Sequence, residues 1–123
     1  MQNTEQFLKD FSNAWATQDT SIILNAISED FQFRMANCEE AVKGKAAFAD
    51  WLKNMDCGDG KATITHDKVV INGEQAAITG EITVTGTKPE QRFAFCDIYT
   101  LTNNKISTLT AYCVKFGEGM GCE

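Results

Sequence analysis

From Lys61 to Phe116 the chain is an almost unbroken run of strand-forming sequence, rich in Thr, Val and Ile, interrupted at Asn72-Gly73, at Gly86 to Pro89 and at Asn103-Asn104. Three turns between four such runs predict an antiparallel meander with strands at about 61–71, 74–86, 91–102 and 105–116. Long antiparallel sheets twist and curl. Half of the chain is thus committed to a curved sheet whose inner face needs a cover.

The first half supplies it. Asn3 and Gln6 can close a capping box, and Phe7, Leu8, Phe11, Ala14 and Trp15 then recur at helical spacing, giving an amphipathic helix to about Thr17. Asp19 or Thr20 can cap a second, shorter helix containing Ile23 and Ile27, which Ser28-Glu29-Asp30 ends. Phe31, Phe33 and Met35 alternate with polar or small residues and read as a half-buried strand. From Gly44 a third helix places Phe48, Trp51, Leu52 and Met55 on one stripe, and Cys57-Gly58-Asp59-Gly60 stops it. Gly117 to Gly121 forms a GxGxG run with no helix after it to present amides to a phosphate, so it reads as a flexible end. Helices grouped before strands indicate an α+β fold in one domain, residues 1–123. Helices across the concave side of such a sheet leave a cone, and the open end of a cone can be a pocket.

Composition narrows the partners. A formal charge of -6, with 11 scattered basic residues, argues against a nucleic-acid backbone as ligand. The N-terminus has no signal-peptide pattern and no stretch has the length of a membrane span, so neither a membrane nor export is expected and the cytoplasm is the default location. The cysteines at 38, 57, 96, 113 and 122 form an odd set without a CxxC pair, which fits reduced thiols better than a disulfide framework or zinc knuckle. One histidine and no HxxxH spacing leave no metal site to expect, and no organic cofactor is signalled.

The best candidate for chemistry lies on the third run of the meander. Alternation places Phe93, Phe95, Asp97, Tyr99 and Leu101 on one face, so the Asp97 carboxyl stands among aromatic rings. Lost hydration there disfavours its charged form and raises its pKa toward neutrality, where a carboxyl serves as general acid or base. The same group can instead accept structural hydrogen bonds and fix the fold. His66 shares a face with Ala62 and Ile64; it can act as a proton partner in the pocket or occupy a hydrated strand end. Trp15, Phe33, Trp51, Tyr99 and Tyr112 can line a pocket for a small apolar or aromatic molecule, or simply form core. Asn37, Cys38, Glu39 and Glu40 follow the first strand as either a polar gate or a solvated connection.

Helix order and the segments ISEDFQF, VKGKAAFADWL, VVINGEQAAITG and FAFCDIYTLTNNKISTLTAY together resemble the nuclear-transport-factor-2-like superfamily. More narrowly the chain is similar to its SnoaL-like group, which includes polyketide cyclases and relatives of ketosteroid isomerases. The resemblance implies a cone-shaped α+β barrel, a homodimer, and a role for Asp97 at the acidic position that isomerases use in the oxyanion hole and cyclases for proton transfer. It also implies that Leu109, Ala111 and Cys113 face the cavity, for which Met35 and Phe95 are further candidate ligand contacts. Phe11 and Met35 stand where the isomerases carry their tyrosine and base aspartate, so a standard ketosteroid isomerase is not implied. The expected activity is isomerisation, cyclisation or hydration by acid/base chemistry, with capture of a ligand without catalysis as the alternative.

Overall fold

The computed structural model describes residues 4–54, 61–85 and 91–116. Two helices, α1 (Thr4–Thr17) and α2 (Thr20–Ala26), lead into strand β1 (Ile27–Met35). A short β2 (Val42–Lys43) and helix α3 (Lys45–Asn54) follow, and then the long strands β3 (Lys61–Asn72), β4 (Gln75–Thr85), β5 (Gln91–Thr102) and β6 (Lys105–Lys115). The strands form one curved, unclosed sheet in the order β2-β1-β6-β5-β4-β3.

The turns follow from local chemistry. Gly73 takes the left-handed φ of 62° at the β3–β4 turn, and Asn103 and Asn104, at 53° and 65°, make the β5–β6 turn that asparagine tolerates best among side-chain-bearing residues. The Asp19 carboxylate accepts a hydrogen bond from the Ile22 amide at 3.3 Å and so caps α2. The strand limits in the meander agree with the sequence expectation to within a residue.

Three features differ from that expectation. The sheet is mixed rather than antiparallel throughout, because β1 runs parallel to β6, with Phe33 beside Leu109 and Met35 beside Ala111. Alternation in a lone strand shows which face is apolar but carries no information about the partner's direction. Strand β1 also begins at Ile27, where the second helix was expected to continue; a register shift between Ile27 and Gln32 accommodates the polar Ser28-Glu29-Asp30 within the strand. The two-residue β2 is too short to leave a periodic signature. The expected Asn3 cap, Met55, the Cys57 to Gly60 stop, the Gly86 to Pro89 turn and the glycine-rich tail lie outside the described residues.

The core forms where the apolar helix stripes meet the inner face of the sheet. Leu8, Phe11 and Ala14 of α1 and Phe48 and Leu52 of α3 are buried against Phe31, Phe33, Ile78, Tyr99 and Leu109. Each of the large side chains contributes about 1.5–3 kcal/mol by leaving water. Trp51 packs on Phe33 with ring centres 4.9 Å apart and stacks on Phe48, and Trp15 touches all three rings. This aromatic cluster fixes α1 and α3 against the sheet and sets the height of the space left over the strands beyond.

Candidate functional site: the Asp97 cavity

Strand register assembles the floor of that space. Met35, Ala111, Asp97 and Ile78 are successive neighbours across β1, β6, β5 and β4, and the next row runs from Cys113 through Phe95 and Gly80 to His66. Above them lies a cavity of about 200 Å³. With Ala111, its wall includes nine of the residues expected from sequence, the others being Trp15, Phe33, Met35, Trp51, Phe95, Asp97, Leu109 and Cys113. Ala111 completes the β6 side, and Ile64, Ile82 and Ser12 line it as well.

Two expected residues stand behind the wall. Tyr99 is fully buried, below the cavity, and its hydroxyl donates a long, 3.4 Å hydrogen bond to Asp97 Oδ2. His66 does not line the cavity; its Nε2 lies 3.1 Å from the Ser12 hydroxyl, which does. Tyr112 is placed differently from expectation. It pairs with Cys96 on the outer face of the sheet and is exposed, because its parity on β6 is opposite to that of Ala111 and Cys113. The connection Asn37 to Glu40 is exposed, and Arg34 Nη1 donates to the carbonyls of Ala36 and Cys38 and so ties the start of this connection to β1.

The electrostatics of Asp97 follow from this setting. Burial among apolar side chains, opposed only in part by the Tyr99 hydroxyl, raises its pKa from 3.8 to about 7. Near neutrality both protonation states are therefore populated. The neutral carboxyl can donate a hydrogen bond to a carbonyl oxygen, and the carboxylate can take a proton from carbon. Partial burial, and then the charge of Asp97, push the Cys113 thiol upward and so disfavour its thiolate, although the residue as a whole is exposed. Burial, and then the nearby Lys9, hold His66 below its ordinary value, so its ring is neutral around pH 7.

Ser12 was not evident from sequence. A serine next to Phe11 in an amphipathic helix reads as the edge of the polar face, and its partner His66 is 54 residues away. The surviving signal is spacing: Leu8, Ser12 and Trp15 fall on one stripe of α1. The close packing of β3 and of the Phe95 ring on β4 depends on Gly80. A Cβ there would collide with the Thr65 carbonyl and lie 3.0 Å from the Phe95 ring, opposite the point where a bulge between His66 and Lys68 bends β3. Among the described residues no three His, Cys, Asp or Glu side chains gather as metal ligands would.

Comparison with known proteins places this geometry in context. The family model of the SnoaL-like domain matches residues 8–109. No curated protein matches the chain. Among solved structures, an NTF2-like protein from Cytophaga hutchinsonii aligns at 23% identity with a TM-score of 0.68, over 91% of this chain and 100% of that one. An LEH-like epoxide hydrolase from M. tuberculosis aligns at 15% identity with a TM-score of 0.74, over 88% and 80%. A candidate ketosteroid isomerase from Kribbella flavida gives 15% identity and a TM-score of 0.74, over 93% and 79%. At these identities the likeness is one of fold.

Proposed function

We propose that this chain, which belongs to the SnoaL-like domain family, works as one domain that binds a small apolar or aromatic molecule over Asp97 and performs acid/base chemistry on it. The observation that carries the reading is a single carboxyl, its pKa raised to about 7 by burial, in the wall of a cavity that is apolar apart from it and the Ser12 hydroxyl. Proton abstraction next to a carbonyl, with the proton returned elsewhere on the same molecule, needs one group that can both take and give a proton. Asp97 meets that requirement without help from a cofactor. Fold relatives that include an epoxide hydrolase and a candidate isomerase support isomerisation, cyclisation or epoxide hydration as the reaction class.

His66 acts, in this reading, through Ser12 rather than on the substrate. The proposal extends to a homodimer formed through the outer sheet face, where Val70, Ile98, Tyr112 and Val114 are exposed. It places the protein in the cytoplasm, which keeps thiols such as those of Cys38, Cys96 and Cys113 reduced.

The test is exchange of carbon-bound hydrogen for deuterium in a panel of small enolisable ketones, followed by proton NMR, with a parallel panel of epoxides scored for diol. Asp97→Asn should lower any activity found by about 10²–10⁴-fold. Undiminished activity in that variant would sink the reading. A second reading, capture without catalysis, is favoured by the fully buried Phe11 and by Met35 on the wall, where the isomerases of this superfamily hold polar groups. Binding of a panel ketone with no exchange in wild type would select it.

A further inference from the structure

Ser12 is a fully buried polar side chain, with 2% of its surface exposed. It occupies the middle of α1 on a stripe otherwise apolar, where an unbonded hydroxyl costs about 1–3 kcal/mol in desolvation. The fold offsets this with a long-range contact: β3 bends at its bulge, Gly80 admits the close approach of Thr65 and Phe95, and His66 meets the hydroxyl at 3.1 Å. One hydrogen bond does not exhaust a serine. A hydroxyl has one donor and two acceptor positions, His66 engages one of them, and Ser12 also forms part of the cavity wall.

We infer that Ser12, oriented by His66, is a second polar contact for the ligand, and that the Asp97 cavity takes a compact apolar molecule with one oxygen function toward the sheet and another toward α1. The inference rests on the pocket reading above. A neutral His66 can accept the Ser12 proton and leave the serine oxygen to accept from a ligand hydroxyl, or donate to Ser12 and leave its proton for a ligand carbonyl. His66 is thus a positioning residue. The remaining wall, Ile64, Ile82, Phe95, Leu109 and the two tryptophans, offers a flat molecule only apolar contact between the two polar points.

The experiment compares ethylbenzene, acetophenone and the 3- and 4-hydroxy derivatives of acetophenone by NMR titration of the ligand-free protein, below the Asp97 titration. Acetophenone should bind more tightly than ethylbenzene, and at least one hydroxy derivative should bind about tenfold more tightly than acetophenone. Ser12→Ala should abolish that last gain, so that within this variant neither hydroxy derivative binds more tightly than acetophenone, and Ser12→Thr should keep it. His66→Ala should reduce the gain and His66→Gln, whose amide can hold the hydroxyl, should restore it. Acetophenone binding with no gain for either hydroxy derivative in wild type overturns the inference and spares the pocket. So does a gain that survives Ser12→Ala. Failure of all four probes to bind rejects the pocket reading and this inference together. The wild-type comparison needs no variant, so a misfolded Ser12→Ala would not shield the proposal.

Discussion

A buried carboxyl is a cost to folding before it is an asset to chemistry, and at Asp97 the sign of that cost can be worked out. The unfolded chain releases this proton near 3.8 and the folded protein holds it to about 7. Between those values the folded state binds more protons, so the contribution of Asp97 to stability is complete below about pH 4, falls as pH rises, and levels off above 7. The full span is worth roughly 4 kcal/mol. Asp97→Asn, neutral at every pH, should therefore gain on wild type by roughly 2–4 kcal/mol between pH 4 and 8 in urea denaturation, whatever its stability at pH 4. Because His66 is present in both proteins, its own titration cancels from the difference. A gap independent of pH would mean that the folded carboxylate is hydrated and its pKa ordinary. The place of Asp97 was legible in the sequence because period-two alternation among Phe93, Phe95 and Tyr99 leaves it no other face. Ser12 was not, since its importance depends on a histidine brought to it only by tertiary structure.

At the scale of elements, legibility followed the strength of local signals. Asn and Gly at positive φ mark turns chemically, and those turns set the facing ends of β3 and β4, and of β5 and β6, to within a residue. The parallel pairing of β1 with β6 and the register shift near Ile27 arise from long-range assembly, and no residue within β1 announces them. Gly80 falls between these cases. A glycine inside a strand signals a bend or a close backbone approach, and here the approach is from the Thr65 carbonyl of β3 and the Phe95 ring of β5. Backbone cannot move aside as the end of a side chain can. Gly80→Ala should consequently lower stability by about 1–3 kcal/mol, read as an earlier urea midpoint, and should weaken the His66–Ser12 contact that the bend creates. An unchanged midpoint would show that β3 gives way without loss, and the link from Gly80 to the cavity wall would fail.

For the whole molecule, one sheet serves two surfaces, and alternation along β5 divides them: Phe95, Asp97 and Tyr99 face inward, Cys96 and Ile98 outward. On the outer side, register places Tyr112 beside Cys96, and Val114 beside Ala94, while Ala77 separates Ile98 from Val70. Val114 is 60% and Val70 61% exposed, so this face presents apolar side chains over several neighbouring strands. A chain with a formal charge of -6 repels its own copies at long range. A homodimer thus requires a patch apolar enough to outweigh that repulsion, and the outer face offers one. Light scattering should give twice the mass of the chain, with a stronger tendency to dissociate at low salt, where repulsion is less screened. Tyr112→Glu with Val114→Glu would bury unpaired like charges in the contact, and should give the mass of one chain while leaving ligand affinity within about twofold. A wild-type protein that stays at single-chain mass at all concentrations would remove the dimer from the proposal. A double variant that remains dimeric would move the contact to another surface, since two carboxylates cannot sit uncompensated in a dry apolar interface.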